Sequence, residues 1–172
     1  MNHEYECFFQ RVQLKPLEQK DIELLRELRN QNCKYFLSQG EITEEEQKNW
    51  YQRYLSKNDD IMFKIVKKKE PERFIGAVAL YDIDLLAKTA EFGRIIVDKT
   101  KALERGIGTE AVIAVCLFGF RVLHLKQIIC DVLTTNERAV KTYKNVGFQI
   151  TGEREGVYDM ILMKEHFCQP IS

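Results

Sequence analysis

The feature that most constrains the fold is a strand pattern that runs through a glycine-containing segment into a helix pattern. Residues 94–97 read Arg-Ile-Ile-Val, a basic and polar segment follows with Gly106 and Gly108, and an apolar helix pattern covers residues 108–123. A strand, a glycine loop and a helix together present backbone N–H groups and a helix N-terminus to an anion. We therefore expect the rest of the chain to support this anion site or to form a wall around its ligand.

The glycine loop taken alone fits two interpretations. Its glycines permit close backbone approach, and positive charge stands beside them at Lys99, Lys101 and Arg105. It lacks the Gly-Lys-Ser/Thr of a nucleotide-binding P-loop. Ala111 satisfies the third position of the dinucleotide pattern, but no acidic residue for the ribose follows about 20 residues later at the end of a second strand. The loop is therefore either a pyrophosphate site or a turn that only connects strand to helix.

Composition indicates one globular domain over residues 1–172 and argues against nucleic acid and membranes as partners. The 26 Lys and Arg residues balance 26 Asp and Glu residues, so no net field attracts a polyanion. The polar, acidic residues 1–6 predict no signal peptide, and no apolar run approaches the ~20 residues of a membrane span. The spacing of His and Cys predicts no metal site and indicates a reduced, cytoplasmic compartment; the cysteines are Cys7, Cys33, Cys116, Cys130 and Cys168.

Periodicity divides the chain into strands and helices. A first strand is predicted over residues 9–14, and a helix capped by Asp21 follows it. Three adjacent antiparallel strands are predicted next, over residues 61–67, 74–84 and 89–97. After the helix of residues 108–123, the patterns predict a strand over 127–133, a helix over 136–146 and strands over 148–152 and 157–164. This order predicts an α/β fold with a mixed sheet.

One further helix begins at Thr43, whose side chain and that of Glu46 fit a capping box. This helix carries an apolar stripe of Trp50, Tyr51, Tyr54 and Leu55. The stripe is either core or one wall of a substrate cleft. The core interpretation is favoured for Trp50 and Leu55, and the two tyrosines are left open. Residues 29–40 are irregular, with Tyr35 and Phe36 exposed.

A second constellation covers residues 134–148, where Asn136 caps a helix, Tyr143 points inward two turns later and Gly-Phe ends it. Together with the glycine loop, it resembles the GNAT superfamily of acetyl-CoA-dependent N-acetyltransferases over residues 74–163. Residues 90–97 resemble the family's fourth strand, residues 105–109 its pyrophosphate loop and residues 158–163 its final strand. Leu103 departs from the pattern, because the family has Gln or Arg there.

The resemblance implies an α/β (α+β) fold with a mixed, mostly antiparallel sheet. Helices flank this sheet, which is splayed between the family's fourth and fifth strands. It also implies acetyl-CoA as cosubstrate and direct attack by an amine, with neither a metal nor a covalent intermediate. The cofactor-binding residues would be Ile96, Val97, Leu103, Glu104, Arg105, Gly106, Ile107, Gly108, Thr109, Asn136, Ala139 and Lys144, with Lys141 also near the 3′-phosphate.

Two residues are candidates for proton transfer by this resemblance. Tyr143 is the candidate general acid for the thiolate, and its alternative role is that of a core tyrosine. Glu91 is the candidate general base, acting directly or through water, and its alternative is a solvated strand residue. Tyr81 and Asp82 are weaker alternatives for the base or for substrate contact.

The acceptor is the least constrained part of the interpretation. The N-terminal half resembles a subgroup of amino-sugar, polyamine and ribosomal-protein N-terminal acetyltransferases. Aromatic residues would suit an amino sugar or a nucleotide-linked one, which we rank first; they are Tyr35, Phe36, Trp50 and Tyr51. Acidic residues would suit a polyamine; they are Glu41, Glu44, Glu45, Glu46, Asp82 and Asp84. A catalytically inactive CoA-binding regulatory module is the alternative of another class, and a homodimer is left open.

Overall fold

The computed structural model describes residues 3–38 and 40–167, and its centre is an eight-stranded sheet in the order β1-β2-β3-β4-β5-β6-β8-β7. The strands are β1 (Cys7–Phe9), β2 (Val12–Pro16), β3 (Ile61–Lys67), β4 (Gly76–Asp84), β5 (Thr89–Val97), β6 (Gln127–Leu133), β7 (Gln149–Arg154) and β8 (Val157–Met163). The helices are α1 (Ile22–Gln31), α2 (Glu44–Ser56), α3 (Ile107–Arg121) and α4 (Glu137–Val146). The predicted mixed, mostly antiparallel sheet with flanking helices is confirmed.

Two local predictions near the N-terminus are wrong. The single first strand is a hairpin, because the chain reverses at Gln10, whose φ is 46°, and Phe9 pairs with Val12. Asp21 does not cap α1 with its side chain. That carboxylate instead accepts the backbone N–H of Glu18 at 3.0 Å and pairs with Lys64 at 3.3 Å. The capping box of Thr43 and Glu46 at the start of α2 is confirmed.

The sheet separates two apolar cores. One core lies between the sheet and α3 and α4, and the other lies between the sheet and α1 and α2. Strand β3 is buried on both faces, since Phe63 belongs to the first core and Met62 to the second. A sheet covered on both faces explains why β3 reads as a continuous apolar run.

The sheet opens between β5 and β6, which are the only parallel neighbours in it. Residues 89–91 of β5 pair with residues 127–129 of β6. After residues 91 and 129 the two strands no longer pair with each other, and β5 stays paired with β4 while β6 stays paired with β8. A bulge bends β5 past this point. The paired positions Ala77 and Ala79 of β4 are two residues apart, whereas their partners on β5, Ile96 and Gly93, are three apart, and Arg94 has a φ of 51°. The predicted splay is therefore present, and the bulge lies at its edge.

Within residues 3–38 and 40–167, no helix has the length and apolar character needed to cross a membrane. Cys7, Cys33, Cys116 and Cys130 are free thiols. Cys168 and the first two residues of the acidic N-terminal segment lie outside the described residues.

Candidate active site

The glycine loop ends in the N-terminus of α3, as the sequence predicts. Gly106 is the N-cap residue with a φ of 94°, a left-handed conformation that favours glycine. The first helical N–H that finds a partner is that of Glu110, which donates to the carbonyl of Gly106 at 2.9 Å. The N–H groups of Ile107, Gly108 and Thr109 come before it and have no intrahelical acceptor, by the geometry of any helix start. These three residues line a cleft, so their N–H groups are placed where they could bind an anion.

Gly108 is needed by neither the backbone nor the packing of the fold. Its conformation is helical, and a Cβ built on it would meet only Cγ2 of Val97, at an ordinary 3.8 Å. The space in front of Gly108 therefore belongs to the cleft. A ligand that approaches the backbone here gives a physical reason for glycine at this position.

The cleft has a volume of about 270 Å³ and lies between the end of β5, the glycine loop and α4. Lys99 and Arg138 supply positive charge to its lining. Asn136 caps α4 through its Oδ1, which accepts the N–H of Ala139 at 3.3 Å, and its Nδ2 donates to the carbonyl of Tyr35 at 3.5 Å. The predicted cofactor-binding and catalytic residues that line this cleft are Ile96, Val97, Glu104, Gly106, Ile107, Gly108, Thr109, Asn136, Ala139 and Tyr143.

Three of the predicted cofactor-binding residues, and also Lys141, do not line the cleft. Leu103 is 80% exposed and lies outside it. The backbone carbonyl of Arg105 accepts a hydrogen bond from Arg11, and the side chain of Arg105 does not line the cleft. Lys144 lies on another face of α4, because helical periodicity brings Arg138, Ala139, Thr142 and Tyr143 to the cleft. Arg138 and Thr142 were not predicted from the sequence, although their helical spacing relative to Ala139 and Tyr143 places all four residues on one face of α4.

Arg11 ties the glycine loop to the N-terminal hairpin. Its Nε donates to Glu110 at 2.8 Å, its backbone N–H donates to the same carboxylate at 3.0 Å, and its Nη2 donates to the carbonyl of Arg105 at 2.9 Å. Glu110 is buried in the first turn of α3. The loop conformation therefore depends on a residue that is distant in sequence, which no local motif could indicate.

Tyr143 lies on the α4 side of the cleft and is 7% exposed. Its ring packs edge-on against Phe92 with centroids 5.2 Å apart and an interplanar angle of 88°. Burial raises the pKa of Tyr143 above its ordinary value, so its hydroxyl is protonated at neutral pH. A neutral phenol that lines the cleft can donate a proton to a thiolate formed there.

A second cavity of about 490 Å³ adjoins the first on the α1 and α2 side of the sheet. Phe36 and Ile96 line both cavities. The residues that line only the second are Leu25, Arg29, Ser38, Gly40, Glu41, Ile42, Glu46, Gln47, Trp50, Arg53, Met62 and Arg94. Most of these were missed from the sequence, because they come from α1, α2, β3, β5 and the segment between the helices.

The charged groups of the second cavity differ in their partners. Arg94 donates to Asp60 at 2.8 and 2.9 Å, and its guanidinium lies 4.2 Å over the ring of Tyr81. Glu46 accepts the backbone N–H of Thr43 at 2.8 Å in the capping box. Among the described residues Glu41 forms no ion pair, so its carboxylate is available to a ligand.

The structure separates the predicted substrate residues. Trp50 is half-buried; it stacks on Tyr54 with centroids 5.6 Å apart, and it also lines the second cavity. Tyr35 lines the first cavity instead. Tyr51 is 6% exposed and belongs to the core, because the helix turns it towards the sheet beside Tyr54.

Glu91, Tyr81 and Asp82 line neither cavity. Tyr81 donates a hydrogen bond to Glu91, which lies on β5 before the sheet opens. Burial and this carboxylate raise the pKa of Tyr81. Asp82 is exposed, with a φ of 48° at a second irregularity of the β4–β5 pairing. A direct contact between Glu91 and a ligand in either cavity is therefore absent from this arrangement.

Comparison with solved structures shows the same fold. The spermidine N-acetyltransferase of Vibrio cholerae, solved in complex with CoA and spermine, has a TM-score of 0.79 and 21% identity, covering 91% of this chain and 97% of that chain. A nucleotide-linked sugar GNAT, FdhC in its apo form, also has a TM-score of 0.79 and 21% identity, covering 96% and 93%.

Comparison of sequences identifies the family. Spermidine N(1)-acetyltransferase of Escherichia coli (strain K12) is 27% identical over 144 residues, which are 83% of this chain and 75% of that protein. The family model of the acetyltransferase (GNAT) domain matches residues 11–149, well over half of the chain. The chain therefore belongs to the GNAT acetyltransferases and is an N-acetyltransferase.

Proposed function

We propose that this protein transfers an acetyl group from acetyl-CoA to the primary amine of a small acceptor by direct attack in a ternary complex. The observation that carries the proposal is the common lining of the two cavities by Phe36 and Ile96, at the place where the sheet opens. A thioester held in the first cavity and an amine held in the second would meet there. Holding both reactants in one geometry is the main source of rate enhancement in such a reaction.

The first cavity fits acetyl-CoA by charge and shape. The N–H groups at the start of α3, with Lys99 and Arg138, suit the pyrophosphate and the 3′-phosphate. Beyond Glu91 the edge of β5 has no partner in β6, so its backbone is free to bind the pantetheine arm. Ile96 and Val97 lie on this part of β5 and line the cavity.

The chain supplies the proton transfers that the reaction requires. As the amine nitrogen bonds to the acetyl carbon, the bond from carbon to sulfur breaks and the charge moves to sulfur. A backbone N–H of β5 beside Ile96 would polarise the acetyl carbonyl. Tyr143, neutral and lining the cavity, would protonate the thiolate.

The acceptor ammonium must also lose a proton. Glu41 lines the second cavity without an ion-pair partner among the described residues, so we assign it as the proton acceptor. Glu91 stays a candidate only through water, because it lines neither cavity and already accepts the hydroxyl of Tyr81.

We rank an amino sugar, free or nucleotide-linked, first as the acceptor. Trp50 and Phe36 offer aromatic faces in the second cavity, and amphipathic rings suit a sugar or a base. The nucleotide-linked sugar GNAT of the same fold supports this choice. A polyamine is the second candidate, and the similarity to spermidine acetyltransferases in sequence and in fold supports it at least as well.

A thiol-release assay with acetyl-CoA and a panel of amino sugars and polyamines tests the proposal. We expect thiol release that depends on one class of amine. If acetyl-CoA raises the melting temperature but no amine releases thiol, the protein is instead a CoA-binding regulatory module. If neither effect occurs, the assignment of the first cavity is wrong as well.

A further inference from the structure

The second cavity carries more positive than negative charge. Its lining includes Arg29, Arg53 and Arg94 but only two carboxylates, Glu41 and Glu46. Asp60 neutralises Arg94 from outside the lining, and the capping box occupies Glu46. Within residues 3–38 and 40–167, neither Arg29 nor Arg53 pairs with a carboxylate. Two arginines without a carboxylate partner and one carboxylate without a cationic partner therefore line the space that an acceptor would occupy.

Arg29 is held in place while part of its guanidinium has no acceptor. Its Nη2 donates to the carbonyl of Ser38 and lies 3.2 Å from the Ser38 hydroxyl. Its guanidinium carbon lies 4.2 Å from the centroid of the Phe36 ring. Its Nη1 is buried and has no hydrogen-bond partner within the described chain. Phe36 and Ser38, which hold this cation, also line the second cavity.

A buried arginine N–H without an acceptor is energetically unfavourable, and an anion bound to the guanidinium of Arg29 from the second cavity would offset that penalty. The planar guanidinium also suits phosphate and carboxylate better than any other anion-binding side chain. A polyamine carries only positive groups, so in this cavity it would face two unpaired cations of its own sign. The charge pattern thus selects against the polyamine, although spermidine acetyltransferases are among the chain's relatives.

We infer that the acceptor is an amine that also carries an anionic group, a phosphate or a carboxylate, and that Arg29 binds this group. The inference rests on the proposed function, because it takes the second cavity as the acceptor site. Glu41, the free carboxylate of the cavity, then pairs with the acceptor ammonium. The cavity would hold an acceptor with charges of both signs.

Calorimetric titration of the full chain in the presence of CoA tests this inference with matched probes. The probes are glucosamine, glucosamine 6-phosphate, muramic acid, which adds a carboxylate to the same sugar, and spermidine. We expect at least one anionic probe to bind about tenfold to a hundredfold more tightly than glucosamine. This advantage shrinks as salt concentration rises. The anionic group is identified by which of the two probes, glucosamine 6-phosphate or muramic acid, shows the larger increase in affinity over glucosamine.

Variants locate the effect. R29Q should remove the tighter binding of the anionic probe relative to glucosamine. R29K keeps the positive charge but lacks the planar, bidentate guanidinium, so it should restore part of that difference. The matched control is R73Q, which changes a surface arginine on the β3–β4 loop that pairs with Glu70 and should leave the advantage intact. Acetyl-CoA affinity and melting temperature show that each variant is folded. If R29Q does not fold, R29K and the salt dependence of the wild-type protein decide.

The inference is overturned if neither anionic probe binds, if glucosamine or spermidine binds as tightly, or if R29Q weakens all probes equally. Thiol release is measured with the same four probes. Tight binding of an anionic probe without release would overturn the transfer reaction and leave the Arg29 assignment in place. Release from glucosamine or spermidine alone would support the transfer reaction and overturn the Arg29 assignment.

Discussion

Phe36 and Ile96 face both cavities of the protein, although one follows α1 and the other lies on β5 beyond its bulge. A residue that borders two cavities marks the place where their contents can touch. The bulge at Arg94 shifts the register of β5 there, and the loss of pairing with β6 leaves that part of the strand open to the cleft. Ile96 therefore lies both on the open part of β5 and at the place where the two proposed reactants would meet.

The space in front of Gly108 should be essential for acetyl-CoA and dispensable for folding. A valine there would place two methyl groups in the cleft, while the added Cβ itself meets only Val97 at 3.8 Å. We expect Gly108→Val to weaken acetyl-CoA binding about tenfold or more, as a blocked anion contact of 1.4 kcal/mol or more does. Gly108→Ala is the milder control. Unchanged affinity in a folded Gly108→Val protein would remove the loop from the binding site.

Removal of the Tyr143 hydroxyl should affect the chemical step and not binding. Tyr143→Phe keeps the ring packing against Phe92, so the affinity for acetyl-CoA should stay unchanged while kcat falls about a hundredfold or more. Tyr51→Phe, a buried tyrosine that lines neither cavity, is the control. Since burial raises the pKa of Tyr143, loss of its proton should not reduce kcat below pH ~10. Full activity of Tyr143→Phe would make it a core residue only.

The two carboxylates proposed for proton removal can be separated by matched amide variants. We expect Glu41→Gln to lower kcat about a hundredfold at neutral pH, with partial recovery at higher pH as free amine becomes available. Glu91→Gln should change kcat little, because Glu91 lines neither cavity. The reverse pattern would assign the proton transfer to Glu91 through water and leave Glu41 without a role in it.

Stability should decrease in mild acid because of His3. This residue is 5% exposed, its Nε2 lies 3.1 Å from the carbonyl of Met62, and burial lowers its pKa. Below the unfolded pKa of about 6.5, the unfolded chain therefore binds a proton that the folded chain resists, and stability falls as pH falls. Urea unfolding at pH 7.5 and 5.5 measures the loss, which His3→Gln should reduce. An equal loss in wild type and variant would contradict the assignment.

Local sequence patterns were sufficient for the elements that form the proposed cosubstrate site. The β-branched runs located β3, β5 and β6, and Asn136 was correctly identified as the cap of α4, because each depends on residues close together in the chain. The hairpin at Gln10 was missed, since a short strand and a tight turn with a positive φ leave almost no periodicity to detect.

The second cavity, the proposed acceptor site, could not be predicted in the same way. Arg29, Arg53 and Arg94 come together from three separate elements, and Arg11 contacts the glycine loop from the β1–β2 hairpin, which is distant in sequence. The apolar stripe of α2 also does not indicate which of its aromatic side chains is the most buried. Tyr51 was a candidate for the substrate wall and lies in the core, whereas Trp50 lies at the edge of the core and lines the pocket.

Two-substrate steady-state kinetics test the central claim of direct transfer between adjoining cavities. Initial rates are measured over a grid of acetyl-CoA and acceptor concentrations, with the acceptor identified in the thiol-release assay, and the protein is examined by intact mass after acetyl-CoA alone. We predict intersecting double-reciprocal lines and no acetylated protein, because both reactants must be bound together. Parallel lines with an acetyl group on the protein would show a covalent intermediate and contradict the account.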